Sequence, residues 1–187
     1  MTLVADDAAA LAVARAQVVA GDLAHVEALR TEVLAYVDTH ADALHRTSAA
    51  AHLTASALVI DPATRHFVVL HHRKLGLWLQ PGGHADGDGD LAAAARREAT
   101  EETALGGLTV DPVAVDLDIH LVRPPGEAPH RHLDLRFVVL AAAGASVAAP
   151  PGNHESTAIR WATETDLDPL AADESLRRLV ARGLARV

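Results

Sequence analysis

The chain has 187 residues, of which half are hydrophobic and 22% are charged, and its formal net charge is −9 at pH 7. This composition predicts one globular domain with a sizeable core and excludes extensive disorder. The absence of cysteine excludes disulfides, cysteine-ligated zinc and thiol catalysis, and the acidic balance argues against binding to duplex nucleic acid. The sequence shows neither a membrane-spanning apolar run nor a signal-peptide pattern, so we expect a cytoplasmic protein without a membrane partner.

The N-terminal segment, residues 4–46, has the composition and the periodicity of helix. Gly21 and Asp22 predict a break, with Asp22 as the N-cap of a second helix. Two interpretations are open, a helical hairpin packed on the domain and a dimerisation or substrate-lid element, and the first is favoured. In either case a stripe of apolar residues at spacings of three and four must be buried, namely Leu23, Val26, Leu29, Val33, Leu34 and Val37.

From His52 onward the hydrophobic period changes from that of helices to that of strands. A helix is predicted from its N-cap Asp90 through roughly Leu105, closed by Gly106 and Gly107, and a second helix runs from Glu164 to the end. The predicted strands are residues 58–60, 67–70, 77–79, 113–122, 133–141 and 159–161, and residues 142–154 form a loop. This order predicts a mixed α/β sheet flanked by helices.

Three carboxylates are predicted to share one face of the first of these helices. Glu98, Glu101 and Glu102 stand at positions i, i+3 and i+4, where neighbouring carboxylates repel one another unless a cation lies between them. A hard divalent cation such as Mg²⁺ suits such a cluster. Arg97 stands four residues before Glu101 and can hold one carboxylate in orientation. The preceding loop Pro81-Gly82-Gly83 lets the backbone approach the metal and offers a carbonyl. The alternative is a solvated acidic helix face, but the adjoining glycine-rich loop favours a site.

The stretch GGHADGDGDLAAAARREATEETAL, residues 82–105, resembles the signature box of the Nudix hydrolase family. That box consists of Gly, five residues, Glu, seven residues, Arg-Glu, an apolar residue, any residue, Glu-Glu, any residue, Gly and an apolar residue. Gly89 departs from it in place of the first Glu, and Ala104 departs from it in place of the late Gly. The positions that match in register are Gly83, Arg97, Glu98, Ala99, Glu101, Glu102 and Leu105.

The resemblance covers roughly residues 52–165 and implies a Nudix-type α/β/α sandwich with a mixed sheet. We assign residues 51–187 to this domain and residues 1–50 to an N-terminal helical extension that the resemblance does not cover. The late departure, Ala104, is expected to let the helix run on to Gly106. Because family members often dimerise, a homodimer is expected.

The resemblance also implies an activity, the hydrolysis of a pyrophosphate linkage in a nucleoside diphosphate bonded to another group. Water attacks phosphorus, and Mg²⁺ or Mn²⁺ activates the water and neutralises the developing charge. By position, Glu98 and Glu102 are metal ligands, and Glu101 is a third ligand, either directly or through water. The carbonyl of Gly83 is a further ligand, and Arg97 orients the carboxylates.

The general base varies within the family between a box glutamate and a carboxylate on a late loop, for which Glu155 is the candidate here. Gly89 leaves the loop without one family carboxylate. Asp88 and Asp90 flank this position, and since Asp90 is needed as the helix N-cap, we expect Asp88 to support the metal site. A non-catalytic nucleotide sensor stays open as an alternative; Gly89 favours it, whereas the retained glutamates argue against it.

Several other residues are candidates for contacts with a nucleotide-type substrate. Arg73 and Lys74 could contact phosphate, and Trp78 could stack on a base, although a place in the core suits Trp78 equally well. Alternation along a strand places His132 and Asp134 on one face, where they could orient a substrate or each other. A zinc site among the histidines is disfavoured, because their spacing matches no usual pattern.

Overall fold

A computed structural model describes residues 5–124, 126–154 and 156–187 of the chain. The centre of this structure is a mixed eight-stranded sheet. The strands are β1 (Ala51–Ile60), β2 (Phe67–His72), β3 (Trp78–Leu79), β4 (Gly82–His84), β5 (Thr109–Val110), β6 (Asp116–Val122), β7 (His130–Leu140) and β8 (Ser156–Ala162). The helices are α1 (Ala5–Ala20), α2 (Glu27–Val37), α3 (Leu91–Thr103) and α4 (Glu174–Leu184).

Strands β1 and β7 form the central pair of the sheet. They run parallel, with Ala51 opposite Arg131 and Ile60 opposite Leu140. The other pairings are antiparallel: β2 lies against β1, β3 and β8, while β5 and β6 lie against β7. The short strand β4 pairs with the first half of β1, and this pairing brings the glycine-rich loop next to the ends of β1 and β7 where the two strands begin.

Helices cover both faces of the sheet, because β1 and β7 are apolar on both sides over much of their length. Leu53 and Ala55 face a core shared with α1, α2 and α3, whereas Leu58 and Ile60 face a second core closed by α4. The chain has two phenylalanines, so both cores are built mainly from Leu, Val, Ile and Ala. This arrangement confirms the predicted α/β/α sandwich.

The N-terminal helices pack on the sheet domain, as the first of the two interpretations expects. Buried side chains from α1 and α2 belong to the same core as the sheet and α3, including Ala14, Val18, Val33 and Val37. Among the described residues no single helix is long and apolar enough to span a bilayer; Asp7–Ala20 and Ala24–Val37 meet the length and composition only as a pair bent by 100°.

Two details of the N-terminal prediction are wrong. Helix α2 ends at Val37 instead of continuing to residue 46, because the following residues turn back toward the sheet, where the Leu53 N–H donates to the Ala43 carbonyl at 2.7 Å. Asp22 does not cap α2, since a 3-10 turn over Ala24–Val26 comes between them. The Asp22 carboxylate instead accepts a hydrogen bond from Arg182 Nη2 on α4 at 2.6 Å.

The two ends of α3 differ in how well the sequence predicts them. Asp90 caps the helix as expected, and its carboxylate accepts the Ala93 N–H at 3.0 Å. The helix ends at Thr103, however, and Ala104 has a φ of 55° in the left-handed region, so Ala104 does not prolong the helix to Gly106. The left-handed conformation is unfavourable for an alanine and is the usual reason for a glycine at this place.

The strands appear where the sequence predicts them, but two short ones were missed. β4 and β5 have three and two residues, too few for a periodic pattern. β1 also begins earlier than predicted, at Ala51. Its first half contains the polar residues His52, Thr54 and Ser56, which are buried, so hydrophobicity alone does not mark this half as a strand. The C-terminal helix is shorter than predicted: a 3-10 turn occupies Glu164–Asp166, and α4 begins at Glu174.

Candidate active site

A cavity of ≈ 910 Å³ opens where the glycine-rich loop meets the first residues of β1 and β7. Residues from β1, β4, β6, β7 and α3 line it, so it is built by elements that are far apart in sequence. The box glutamates Glu98, Glu101 and Glu102 line one part of this cavity. The loop and the helix that the sequence predicts to form one site therefore meet at this cavity.

Gly83 allows the Glu98 carboxylate to lie directly against the backbone of β4. A Cβ atom at Gly83 would stand 2.5 Å from Glu98 Oε2 and from Glu98 Cδ, closer than any side chain permits. The side chain of Glu98 is 18% exposed. Glu102 is 7% exposed, and its Oε2 accepts the Gly82 N–H at 2.9 Å. Two carboxylates thus lie at one end of β4: that of Glu98 fits because residue 83 is glycine, and that of Glu102 is held by the Gly82 N–H.

Arg97 connects the helix to the loop. Its Nη2 donates to the His84 carbonyl at 3.0 Å and to Glu98 Oε1 at 3.2 Å, while its Nη1 lies 3.6 Å from Asp88 Oδ2. The carboxylate that Arg97 holds is therefore that of its neighbour Glu98. Asp88 also accepts the Asp90 N–H at 2.9 Å, so it stiffens the loop while facing Arg97.

Glu101 is exposed at the edge of the cavity, in contrast to the other two glutamates. The loop before β8 reaches the same end of α3: the Gly152 N–H donates to the Thr103 carbonyl, and Asn153 Nδ2 donates to the Glu101 carbonyl. Glu155, the candidate general base on this loop, lies outside the described residues.

Gly89, which replaces the family glutamate, is buried beneath helix α1. A Cβ atom there would come within 2.0 Å of the Ala10 carbonyl oxygen, so no larger residue fits while α1 stays in place. Gln17 on α1 also binds the start of α3: its Oε1 accepts the Leu91 N–H at 2.8 Å, and its Nε2 donates to Asp90 Oδ1 at 2.9 Å. The departure from the box at this position therefore has a steric cause, which the box residues by themselves could not reveal.

A buried charge network lies on the sheet beside the cavity. Arg136 Nε donates to Asp134 Oδ2 at 2.8 Å and Nη1 to Asp116 Oδ2 at 3.3 Å, and Arg178 binds Asp116 and Asp118. Burial favours the neutral form of Asp118, but its hydrogen bond with His120 and the charge of Arg136 outweigh burial and lower its pKa. Asp134 also accepts hydrogen bonds from the hydroxyls of Thr54 and Ser56, so its oxygens serve the network.

Of the described residues, six histidines line the cavity, and five of them form a cluster: His52, His84, His120, His130 and His132. Ring centroids of neighbouring members lie 4.8–5.4 Å apart. Burial lowers the pKa of His52, lowers that of His84 to about 4 and lowers that of His132 to about 2. For His120, the hydrogen bond with Asp118 outweighs burial and raises the pKa. His52 and His120 are not recognisable as site residues in the sequence, because the strand register that brings them to His132 is a tertiary property.

The remaining substrate candidates are placed differently from one another. His132 lines the cavity, whereas Arg73 and Trp78 are not among the described residues that line it. Arg73 donates to the carbonyls of His154 and Ser156, and Trp78 packs at the edge of the core that α4 closes. The cations that line the cavity include Arg46, Lys74 and Arg123, of which only Lys74 was a phosphate candidate in the sequence. Lys74 and Arg123 are exposed, so they suit a phosphate-bearing ligand at the cavity mouth.

The chain resembles known proteins in sequence pattern and in fold. Residues 50–183 match the family model of the NUDIX domain. A search of curated protein sequences gives no match. Among solved structures, a Caenorhabditis elegans Ap4A hydrolase in a binary complex superposes with a TM-score of 0.55 at 19% identity, over 72% of this chain and 96% of that one.

Two bacterial structures have the same fold. The Escherichia coli dihydroneopterin triphosphate pyrophosphohydrolase superposes with a TM-score of 0.55 at 15% identity, over 72% of this chain and 96% of that one. The Nudix hydrolase RenU from Mycobacterium smegmatis superposes with a TM-score of 0.51 at 22% identity, over 70% and 82%. With a family model matched over most of its length and its box residues gathered at one cavity, the chain belongs to the Nudix family and is a Nudix hydrolase.

Proposed function

We propose that this protein hydrolyses a pyrophosphate bond in a nucleoside diphosphate linked to another group, with water attacking phosphorus and with Mg²⁺ or Mn²⁺ as cofactor. The observation that carries the proposal is the placement of Glu98 and Glu102 against Gly83 and Gly82 at the wall of a large cavity. The same cavity offers Lys74 and Arg123 to the phosphates of a substrate.

The donor set fits a hard divalent cation. Carboxylate oxygens are the ligands that Mg²⁺ takes from proteins, together with waters and substrate phosphates. Glu98 and Glu102 would hold the ion, with Glu101 and the Gly83 carbonyl completing the set. When bound, such an ion lowers the pKa of a water molecule and neutralises charge on the phosphate oxygens.

The protein's own part is to hold these groups and the substrate in place. Arg97 fixes the Glu98 carboxylate, and the Gly82 N–H fixes that of Glu102, so neither glutamate needs to reorganise on binding. Proton removal from the attacking water falls to a box glutamate or to Glu155. We propose that His132 contacts the substrate from within the cavity. Arg73 and Trp78 would contact it from the surroundings of the cavity.

A catalytic role is favoured over a nucleotide sensor because the one sequence feature that suggested a sensor has another cause. Gly89 is required by the packing of α1, so a glycine at this position does not by itself indicate a sensor. We also propose that the protein acts on small molecules and that it is a homodimer. Sedimentation of the full chain tests the dimer, and a monomer would contradict it.

The deciding experiment is a panel of nucleoside diphosphate derivatives incubated with the full chain, with Mg²⁺, with Mn²⁺ and with excess chelator. We expect metal-dependent release of two phosphorylated products from at least one compound. Reaction in ¹⁸O-labelled water should place the label on a phosphate oxygen. Metal-dependent binding of the compounds without any product would contradict the proposal and identify a sensor.

A further inference from the structure

We propose that His52, His130 and His132 bind a transition-metal ion of the Zn²⁺ class, at a site made of imidazoles and distinct from the carboxylates of α3. The register of the sheet creates this cluster. His52 on β1 and His132 on β7 are opposite each other, and His130 precedes His132 by two residues and so shares its face. Ligand atoms of the three side chains lie within 4.8 Å of one another.

The backbone sets the tautomers of two of these rings. His130 Nδ1 lies 2.9 Å from the Ala128 carbonyl oxygen, and His52 Nδ1 lies 3.4 Å from that of Ser48. A carbonyl can only accept, so each Nδ1 carries the proton and each Nε2 keeps its lone pair. Histidines that ligate metals are held in this way, with the second ring nitrogen donating to a carbonyl or a carboxylate.

The lone pairs point to a ligand. His52 Nε2 and His132 Nε2 are buried, and neither has a hydrogen-bond partner among the described residues. His52 is 2% exposed and His130 is 7% exposed. A buried nitrogen without a partner is unfavourable, so two such atoms in one cluster point to a compensating interaction. A metal ion would accept the lone pair of His52 Nε2 and, in the matching tautomer, that of His132 Nε2.

The donor set selects the class of metal. Imidazole suits Zn²⁺, Co²⁺, Ni²⁺ and Cu²⁺, whereas Mg²⁺ takes carboxylates and water. Tetrahedral zinc sets its nitrogens about 3.4 Å apart, so the ligand atoms, which lie within 4.8 Å of one another, would have to move closer together through side-chain torsions. Three histidines leave a fourth position, and because all three line the cavity, that position is open to water or to a ligand in it.

The experiment measures metal binding and does not depend on turnover, so it is independent of the proposed hydrolysis. Full-length protein freed of metal by a chelator is titrated calorimetrically with Zn²⁺ in the presence of excess Mg²⁺. We expect a single equivalent to bind. His130→Gln and His132→Gln should each weaken binding at least about a hundredfold, because loss of an outer partner alone costs ten- to a hundredfold.

Two controls locate the ion. The first control, His40→Gln, alters a half-buried histidine that stacks on Tyr36 and is not among the described residues that line the cavity. The second control combines Glu98→Gln with Glu102→Gln and so alters the carboxylates of the cavity. Both proteins should bind Zn²⁺ like the wild type. Loss of binding only in the glutamate variant, or wild-type affinity in both histidine variants, would overturn the proposal.

A measurement on the wild type alone covers the case in which the histidine variants fail to fold. Long-range ¹H–¹⁵N spectra resolve the ring nitrogens of histidines. Addition of Zn²⁺ in excess Mg²⁺ should shift one ring nitrogen in each of three histidines and leave the other histidines unchanged. Unchanged ring nitrogens throughout the spectrum would overturn the proposal.

Discussion

Two groups of acidic side chains within the described part of the chain differ in what surrounds them. Asp116, Asp118 and Asp134 are largely buried on the sheet, and the guanidinium groups of Arg136 and Arg178 lie between them. The glutamates of α3 instead lie along the wall of a cavity, two of them held by the loop and by Arg97, while Glu101 is exposed. The first arrangement neutralises charge within the fold, whereas the second presents negative charge to a ligand.

This difference predicts opposite consequences for mutation. Inside a protein, a carboxylate whose cation is removed destabilises the fold. At a metal site, removal of a carboxylate relieves repulsion but removes a ligand, so activity falls while stability holds. Stability and turnover, measured on the same variants, therefore separate the two groups.

The largest effect is expected for the glutamates. Glu98→Gln and Glu102→Gln should each lower turnover by roughly a hundredfold or more, as for the loss of a metal ligand or base. Glutamine keeps an oxygen that can accept the Gly82 N–H, so the fold should survive although these side chains are largely buried. Turnover assays beside melting curves check this. Wild-type-like turnover of Glu102→Gln would contradict the proposed role of Glu102 as a metal ligand or base.

The next effect concerns the aspartate network, where mutation should lower stability and leave activity largely intact. Arg136→Met should cost about 3–5 kcal/mol of unfolding free energy, because it leaves buried carboxylates without their cation. Denaturant unfolding measures the loss, and activity of the folded fraction at low temperature should largely remain. Arg160→Met is the matched control: its exposed pair with Asp166 contributes about 1 kcal/mol or less. Equal losses in the two variants would show that the network has no special role.

The two loop aspartates, Asp88 and Asp90, are expected to affect different properties, metal affinity and stability respectively. Asp88→Ala should weaken Mg²⁺ affinity about ten- to a hundredfold with little change in stability, because Asp88 acts through Arg97. Asp90→Ala should cost about 1 kcal/mol, which lowers Tm by about 2–4 °C, because Asp90 caps α3. Mg²⁺ titrations of activity and melting curves of both variants test the pair. If Asp88→Ala titrates like wild type, no loop aspartate replaces the missing glutamate.

The smallest effect concerns the end of the helix that carries the glutamates. Ala104→Gly should stabilise the protein by about 0.5–1 kcal/mol, since glycine relieves the left-handed strain of alanine at the cost of greater unfolded-state entropy. Ala95→Gly, in the interior of the same helix, should instead lose about 1 kcal/mol or more. Denaturant unfolding of the two variants should therefore shift in opposite directions, and a loss in both would refute the assignment of strain to Ala104.

The family, the layered fold and the order of the main elements were evident in the sequence, because they depend on local signals. The spacing of Glu98, Glu101 and Glu102 follows from helix geometry, and the N-cap at Asp90 follows from its side chain. Hydrophobic periods separated the N-terminal helices from the strands. These features depend on a few neighbouring residues and need no tertiary contact.

Only the tertiary structure decided the rest, because the deciding contacts join residues that are far apart in the chain. Gly89 is determined by Ala10 on α1, a contact that crosses almost eighty positions. The burial of His52 beside His132 depends on the parallel register of β1 and β7, and a shift by one residue would turn one of them to the opposite face. Pairing of distant strands thus sets the environment of side chains whose types the sequence alone already shows.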